Sequence, residues 1–358
     1  MLETLTDTLG DGATLFLGGF VVGVLFGAAA NYSRFCMRAA TIEFTERSLG
    51  PRMTVWLLAF FAAVTAVQFS VWQGWVVLGD TRQVGGVGSV SGAMIGGLLF
   101  GIGMILARGC ASRLLVLSAA GNLRALFTGL ILTIVAQASL RGILSEPRSA
   151  LARLWTVEAG SARDLLALLG LDTSAGILFG ILGIAGALVL AQLNQQKAAS
   201  MIAAMLVGLG VALGWIFTFA MSGISFEPVA PSSVTFTGPS ADTLMGLVNA
   251  PAIPMTFETG LIPGVFFGSA VVAVSTRSWK LEGFQGGQSM IFYALGAVCM
   301  GFGAMLAGGC AVGAGVTGGA LLATTALIAL TFMWVGAVLT NMLLTAPVFA
   351  AQWGPRRS

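Results

Sequence analysis

Histidine is absent from the 358 residues of this chain, and charged residues make up only 9% of it. Because a soluble domain carries roughly 25% charged residues, this composition excludes the soluble class. The lack of histidine excludes a histidine general base, a histidine-ligated haem and a histidine-bound zinc. The P-loop pattern G-x-x-x-x-G-K-[ST] is also missing, which argues against ATP hydrolysis within the chain.

Cysteine is scarce, and no two cysteines form a C-x-x-C pair. A redox couple or zinc knuckle built from neighbouring residues is therefore not expected, and the sequence predicts no metal site or cofactor. The four cysteines are Cys36, Cys110, Cys299 and Cys310.

Hydrophobic residues, by contrast, make up 57% of the chain, and glycine is abundant with 50 residues. A membrane-spanning helix needs roughly 20 apolar residues. This rule predicts an all-α polytopic membrane protein with about nine transmembrane helices. The predicted crossings are 14–34, 54–78, 91–108, 124–143, 174–193, 201–221, 257–275, 287–308 and 321–345.

Three further apolar stretches are too short or too broken to span a bilayer. They are predicted to be re-entrant segments, which are tolerated at membrane depth only where protein or a water-filled cavity covers them. These stretches are 110–121, 223–250 and 309–320.

The whole chain, 1–358, is predicted to form a single membrane domain. Residues 14–143 form its first half and 201–345 its second, while 144–200 link them and include one extra transmembrane helix. The polar part of this linker, 144–172, is expected to be an outer amphipathic helix or loop.

Basic residues predict the orientation of the chain. With the amino terminus outside, the inner loops contain 12 Lys and Arg residues and the outer loops five. The positive-inside rule then predicts a multi-pass protein of the bacterial inner membrane, with a periplasmic amino terminus and a cytoplasmic carboxy terminus. This explains the net charge of +3 without a nucleic-acid partner.

An internal repeat is visible when 101–112 (GIGMILARGCAS) is placed over 301–312 (GFGAMLAGGCAV). Seven of the 12 positions are identical, including the Gly-Cys-Ala string. The copies end the third and eighth predicted crossings. Because five crossings is an odd number, the copies point in opposite directions, as in the inverted-topology repeats of many secondary transporters.

In such folds the substrate site lies near the bilayer midplane, between broken helices. The breaks are predicted at Arg108-Gly109-Cys110 and Gly308-Gly309-Cys310. A short helix starting after each break would present N–H groups and a positive dipole end to an anion. Glycine allows close approach of the backbone, and a thiol is a soft, weak donor suited to a sulfur-bearing ligand.

The remaining cysteines differ in context. Cys299 lies within a predicted span and is interpreted as a small buried hydrophobic residue. Cys36 lies in NYSRFCMR between Arg34 and Arg38 at a predicted helix end. Together with Arg108 and Arg113, these arginines could attract an anion or stabilise a thiolate, or they could simply anchor the inner loops. Two acidic residues near apolar segments could be structural partners for an arginine: Glu227 and Glu258.

In these residues the sequence resembles the YeeE/YedE family of sulfur-compound membrane proteins, whose studied members import thiosulfate. The matching parts are NYSRFCMRAA (31–40), RGCASRLLVLSAAGNLRAL (108–126) and GGCAVGAGVTGGAL (308–321). With their spacing and order, the resemblance covers nearly the whole chain.

The resemblance implies an hourglass-shaped protein with inverted halves, and a central path along which three cysteines contact thiosulfate. Carried over residue by residue, these are Cys36, Cys110 and Cys310. The resemblance also implies a small cytoplasmic sulfur-carrier protein as a partner. Because the family includes relatives associated with selenium or other sulfur species, the exact anion is left open.

The leading hypothesis is therefore a transporter that imports thiosulfate, or a closely related sulfur anion, through a cysteine-lined path. The alternatives are a membrane thiol enzyme, either a sulfurtransferase or a disulfide oxidoreductase, and a membrane scaffold. Missing C-x-x-C pairs and missing histidine weigh against the enzyme. The predicted site residues are Cys36, Cys110, Cys310, Gly109, Gly309, Arg34, Arg38 and Arg108.

Overall fold

The computed structural model describes residues 2–225, 228–249, 254–283 and 287–346. These residues form α-helices and little else, with one two-stranded antiparallel pairing of β1 (Gly88–Ser89) and β2 (Thr156–Val157). The helices are α1 (Leu2–Leu9), α2 (Asp11–Ser33), α3 (Met37–Thr45), α4 (Pro51–Trp72), α5 (Arg82–Gly85), α6 (Val90–Leu106), α7 (Ala111–Ala119), α8 (Leu123–Arg141), α9 (Ser145–Arg153), α10 (Leu165–Leu169), α11 (Thr173–Leu193), α12 (Ala198–Ile224), α13 (Thr237–Asn249), α14 (Phe257–Ser275), α15 (Gly287–Leu306) and α16 (Thr324–Thr345).

A π-helical stretch, Ala311–Gly318, lies between α15 and α16, and we call it the π segment. Two single 3₁₀ turns, Leu78–Asp80 and Ser161–Arg163, complete the regular structure of the described residues.

Nine helical segments of the described chain are long and apolar enough to cross a membrane. They coincide with the nine predicted crossings, and the prediction of an all-α polytopic membrane protein is confirmed. The ends shift by a few residues. The second span, for example, begins at Pro51, because proline has the backbone angle of a first helical turn and lacks the N–H that would be unpaired there.

The order of helices is the same in the two halves of the chain. Each half has six elements in the same order: long helix, short helix, long helix, long helix, short helix and long helix. The first half contains α2, α3, α4, α6, α7 and α8, the second α12, α13, α14, α15, the π segment and α16, with α11 between them.

Contacts between the halves follow this order. Helix α2 packs against α14 as α12 packs against α4, and α6 packs against α16 as α15 packs against α8. The inverted repeat remains a prediction, and this pairing supports it. The three stretches predicted to be re-entrant contain α7, α13 and the π segment, and their relation to a bilayer likewise stays a prediction.

Glycines bring the two halves into close contact. A Cβ atom on Gly23 of α2 would lie 2.5 Å from the carbonyl oxygen of Leu261 in α14. Across the α6–α15 interface, a Cβ on Gly103 would lie 2.8 Å from the amide nitrogen of Met300. Small residues let two helix backbones approach closely. The resulting van der Waals packing stabilises the helix pair, because lipid provides no hydrophobic driving force between helices.

The polar linker 144–172 folds against the ends of α6 and α16. Ser91 at the start of α6 donates a hydrogen bond to the carbonyl of Leu151 at 2.7 Å. The amide of Leu165 donates to the carbonyl of Leu322, just before α16, at 3.1 Å. The linker thus packs over one end of the helix bundle, and its position outside the membrane stays a prediction.

Candidate functional site

Three cysteines occupy the same local position in the fold, directly before a short helix. Cys36 is the N-cap residue of α3, Cys110 that of α7, and Cys310 that of the π segment. The sequence predicted this position for Cys110 and Cys310. For Cys36 it indicated only a helix end, and the structure adds the short helix that follows.

A left-handed residue stands two positions before each of these cysteines. Its φ angle is 56° at Arg34, 56° at Arg108 and 81° at Gly308. For residues other than glycine this conformation costs roughly 1–2 kcal/mol. The shared geometry ends the long helix and turns the chain so that the next helix begins at the cysteine.

The thiols of Cys110 and Cys310 are both buried, with 1% of each residue exposed. Cys110 Sγ lies 3.3 Å from Ser112 Oγ, and the amide of Gly313 donates to Cys310 Sγ at 3.5 Å. Cys110 interacts electrostatically with both Cys36 and Cys310. The cysteine-lined path stays a prediction, and all four cysteines of the chain are free thiols.

Cys299 lies apart from this group. It is half-buried within α15, whereas the other three cysteines stand at N-cap positions. Its position inside a long helix agrees with its interpretation as a packing residue.

The glycines before the two paired cysteines have different surroundings. A Cβ on Gly309 would lie 2.6 Å from the amide nitrogen of Ala314, in the backbone of the π segment. A Cβ on Gly109 would lie 3.3 Å from the side chain of Leu114. Backbone approach therefore requires glycine at Gly309, whereas a movable side chain faces Gly109.

The start of α13 also contacts the cysteine region, although none of the predicted site residues belongs to it. Thr317 of the π segment donates to the carbonyl of Val234 at 2.6 Å. Thr237, the first residue of α13, is fully buried, and its hydroxyl has no hydrogen-bond partner among the described residues. This segment lies within 223–250, which the sequence predicted to be re-entrant, and its polar string SSVTFTG (232–238) could have pointed to the contact.

A cavity of about 130 Å³ opens beside the π segment. Arg82 lies in its wall and donates to the carbonyl of Gly308 at 3.3 Å. Gln83, Thr235 and Glu258 line the same cavity. We call this side of the bundle the Arg82 end; Glu227, the other acidic residue singled out in the sequence, lies outside the described residues.

Arg163 fixes the loop that carries Arg82. Only 7% of this residue is exposed, and its guanidinium donates to the carbonyls of Arg82 at 3.1 Å and Gly86 at 2.5 Å. It also donates to Thr325 Oγ1 at 2.7 Å. Burial, and to a lesser degree the charge of Arg82, lowers the pKa of Arg163. In the sequence these two arginines were only outer-loop charges, because their contacts join segments about 80 and 160 residues apart.

The predicted arginines lie at the opposite end of the bundle. Arg34, which is exposed, ends α2, and Arg38 is half-buried in the first turn of α3. Arg38 interacts electrostatically with Cys36 and with Arg108. Because α6 runs from the linker to Arg108 over 17 residues, the two ends are separated by about 25 Å.

Comparison with known proteins places this chain among transporters. The sulphur-transport family model matches residues 32–339, which contain all four cysteines. The chain belongs to the sulphur-transport family.

Two relatives of this sulphur-transport protein are both described as the thiosulfate transporter TsuA. The Escherichia coli protein is 25% identical over 349 residues, covering 90% of this chain and 93% of the relative. The Spirochaeta thermophila protein is 27% identical over 337 residues, covering 89% of this chain and 96% of the relative. The resemblance noted in the sequence is thereby confirmed.

The sulphur-transport protein is thus a multi-pass membrane protein of a transporter family. Among the residues that the structure describes, no group of three or more acidic or thiol side chains could hold a metal ion. The chemistry of the site consists of thiols, helix amino termini, hydroxyls and guanidinium groups.

Proposed function

We propose that this protein imports thiosulfate, or a closely related sulfur anion, through a central path lined by Cys36, Cys110 and Cys310. One observation carries the proposal: three free thiols each stand at the start of a short helix, and the buried Cys110 interacts electrostatically with the other two. The descriptions of the relatives supply the choice of anion.

The path is proposed to begin at the Arg82 end. Arg82 lies beside the cavity that adjoins Gly308 and Gly313, close to the start of the π segment. Its charge attracts an anion toward the break at Gly309 and Cys310. The backbone N–H groups at the start of the π segment then offer the anion hydrogen-bond donors without a buried countercharge.

Cys310, Cys110 and Cys36 contact the anion in turn, as a cysteine relay. A thiol is a weak donor, so that no single position holds the ligand tightly, as passage along several sites requires. Gly109 allows a close approach of the backbone to Cys110. Arg34, Arg38 and Arg108 attract the anion to the far end of the path.

The orientation proposed is the one that the positive-inside rule gives: the Arg82 end faces the periplasm and the arginines face the cytoplasm of a bacterial inner membrane. A small cytoplasmic sulfur-carrier protein is the proposed acceptor of the sulfur. A membrane thiol enzyme would need thiols that react covalently in turnover, and the transporter descriptions of the family and relatives favour transport instead.

Uptake of labelled thiosulfate by cells that lack their own importers tests the proposal. Cys110→Ala and Cys310→Ala are expected to lower the initial rate at least tenfold, because each removes a donor from the buried path. Cys299→Ala is the matched control and is expected to transport normally.

Expression of each variant is measured in the membrane fraction, so that loss of protein is separated from loss of transport. Near-normal thiosulfate uptake by both Cys110→Ala and Cys310→Ala would contradict the cysteine-lined path. The transport function itself would be contradicted if cells with the wild-type protein took up no thiosulfate. Their growth on thiosulfate as sole sulfur source would then equal that of cells without the protein.

A further inference from the structure

Two arginines pack against one aromatic ring at the end of the bundle remote from Arg82, and a third arginine interacts with both of them. The guanidinium carbon of Arg108 lies 5.8 Å from the ring centre of Tyr293, and that of Arg124 lies 4.9 Å from it. Arg38 interacts electrostatically with both arginines and with Tyr293. We call Arg38, Arg108, Arg124 and Tyr293 the arginine cluster.

The cluster is assembled from four helices that are distant in the sequence. Arg38 comes from α3, Arg108 follows α6, Arg124 stands in the first turn of α8, and Tyr293 belongs to α15. Only 5% of Tyr293 is exposed, so Arg108 and Arg124 pack against a buried aromatic residue. Such contacts stabilise a cation by about 0.5–2 kcal/mol each.

No acidic residue of the described chain forms an ion pair with the arginines of the cluster. Across the described chain, the single ion pair joins Arg141 to Asp242 at the Arg82 end. Glu282, on the loop before α15, accepts a hydrogen bond from Asn122. Arg38 Nε is buried and has no hydrogen-bond partner among the described residues. Three neighbouring cations and a buried free donor are unfavourable unless an anion joins them.

We propose that the arginine cluster is a separate binding site for a small divalent tetrahedral oxyanion, occupied after the anion has passed Cys36. Guanidinium groups match the oxygens of such an anion with paired hydrogen bonds, and Arg38 connects the site to Cys36 through their electrostatic interaction. The choice of a sulfur oxyanion as ligand rests on the proposed function. The site itself needs none of the three thiols.

The position of the site distinguishes it from the Arg82 end. Helices α6 and α15 pack along each other, with Gly96 facing Ala307 and Gly103 facing Gly296. This pairing is antiparallel, so Arg108 and Tyr293 lie at one end while Gly308 and Arg82 lie at the other. An anion bound at the cluster is therefore about one helix length, roughly 25 Å, from the cavity at Arg82.

Anion binding to the purified full-length protein in neutral-lipid nanodiscs tests the site. The thermal unfolding midpoint is followed during titration with thiosulfate and with sulfate, at constant ionic strength, and the dependence gives an apparent Kd. Arg38→Gln and Arg124→Gln are expected to weaken the binding of both anions about tenfold or more. Arg277→Gln, which removes an exposed arginine at the same end, is the matched control and should change the affinity less than twofold.

Two further arms keep the test decisive. If Arg38→Gln or Arg124→Gln fails to fold, Arg124→Lys keeps the charge but removes the planar donor pair, and it should weaken binding as well. A protein with Cys36, Cys110 and Cys310 all replaced by alanine should keep the arginine-dependent affinity. This triple variant distinguishes the site from the proposed path, because it should lose thiosulfate uptake but still bind the anion at the arginine cluster.

Wild-type affinity in Arg38→Gln, Arg124→Gln and Arg124→Lys would overturn the proposal. Anionic phospholipid provides the second comparison, since a lipid phosphate has similar chemistry. If phosphatidylglycerol in the nanodiscs abolishes the arginine-dependent effect of thiosulfate, the cluster binds lipid headgroups and the proposal of a site for a free oxyanion is wrong.

Discussion

At the scale of single residues, two glycines occupy the same place in the repeat but face different neighbours. A methyl group at Gly309 meets the backbone of the π segment, whereas one at Gly109 meets the flexible side chain of Leu114. Backbone atoms held in a helix cannot move aside, but a leucine side chain can shift by a few tenths of an ångström. The two breaks therefore differ in their tolerance of a side chain.

Gly309→Ala is expected to destabilise the protein by about 1–3 kcal/mol, the usual cost of overpacking, and to reduce thiosulfate uptake strongly. Gly109→Ala should stay within about 1 kcal/mol of wild type and keep most of its uptake. Thermal unfolding in detergent and initial uptake rates measure the two effects. Equal behaviour of the variants would show that the surroundings of these glycines do not govern the breaks.

Some residues of the candidate site belong to a recognisable sequence motif, and others are defined only by contacts between distant segments. Cys110 and Cys310 were singled out because the Gly-Cys-Ala string occurs in both copies of a 12-residue repeat, at 101–112 and 301–312. Arg82 and Arg163 carry no local pattern. Their role depends on hydrogen bonds to Gly308 and Thr325, which only the folded chain brings close.

At the scale of helices, the contact between α2 and α14 joins the two halves through glycines on both sides. Gly19, Gly23 and Gly27 recur every four residues in α2, and their missing side chains admit the backbone of α14. This spacing is typical of a packing surface between membrane helices. It could not identify α14 as the partner, because Gly-x-x-x-Gly spacing occurs in several helices of this chain.

Gly23→Ala is expected to lower the stability by about 1–3 kcal/mol, because the new methyl group would lie 2.5 Å from the Leu261 carbonyl oxygen and 2.9 Å from the Val265 amide nitrogen. Gly186→Ala in α11 is the control, since no atom lies within 4 Å of its added Cβ. It should be neutral or stabilising, because alanine favours helix by about 1 kcal/mol over glycine. Thermal unfolding of both purified variants decides the comparison; a control as unstable as Gly23→Ala would exclude packing as the cause.

At the scale of the whole molecule, the two ends of the bundle carry different charge patterns. The Arg82 end contains both signs, with Arg141 paired to Asp242 at 3.9 Å. The other end holds the arginine cluster, without an ion pair among the described residues. This asymmetry agrees with the proposed orientation, because basic residues are retained on the cytoplasmic side.

Single cysteines in a protein with its four cysteines replaced by alanine test this orientation. Glu146→Cys lies at the Arg82 end and should react with a membrane-impermeant maleimide in cells with a permeable outer membrane. Arg277→Cys, at the opposite end, should react only after the inner membrane is opened. The reverse pattern of labelling would contradict the orientation that the loop charges predict.

The sequence by itself determined the membrane class, the nine spans, the repeated Gly-Cys-Ala break and the family. These depend on local composition, on runs of apolar residues and on strings that recur along the chain. A span is recognisable because lipid requires about 20 consecutive apolar residues, whatever its neighbours are.

Only the tertiary structure decided which residues meet. It placed Cys36 in the same N-cap position as Cys110 and Cys310, set Arg82 beside Gly308, and grouped Arg124 with Arg38 and Arg108 around Tyr293. These contacts join helices that are far apart in the chain. These contacts form where glycine-rich helix surfaces let two backbones approach each other. The sequence contains many such surfaces, and the packing of the whole bundle decides which of them pair.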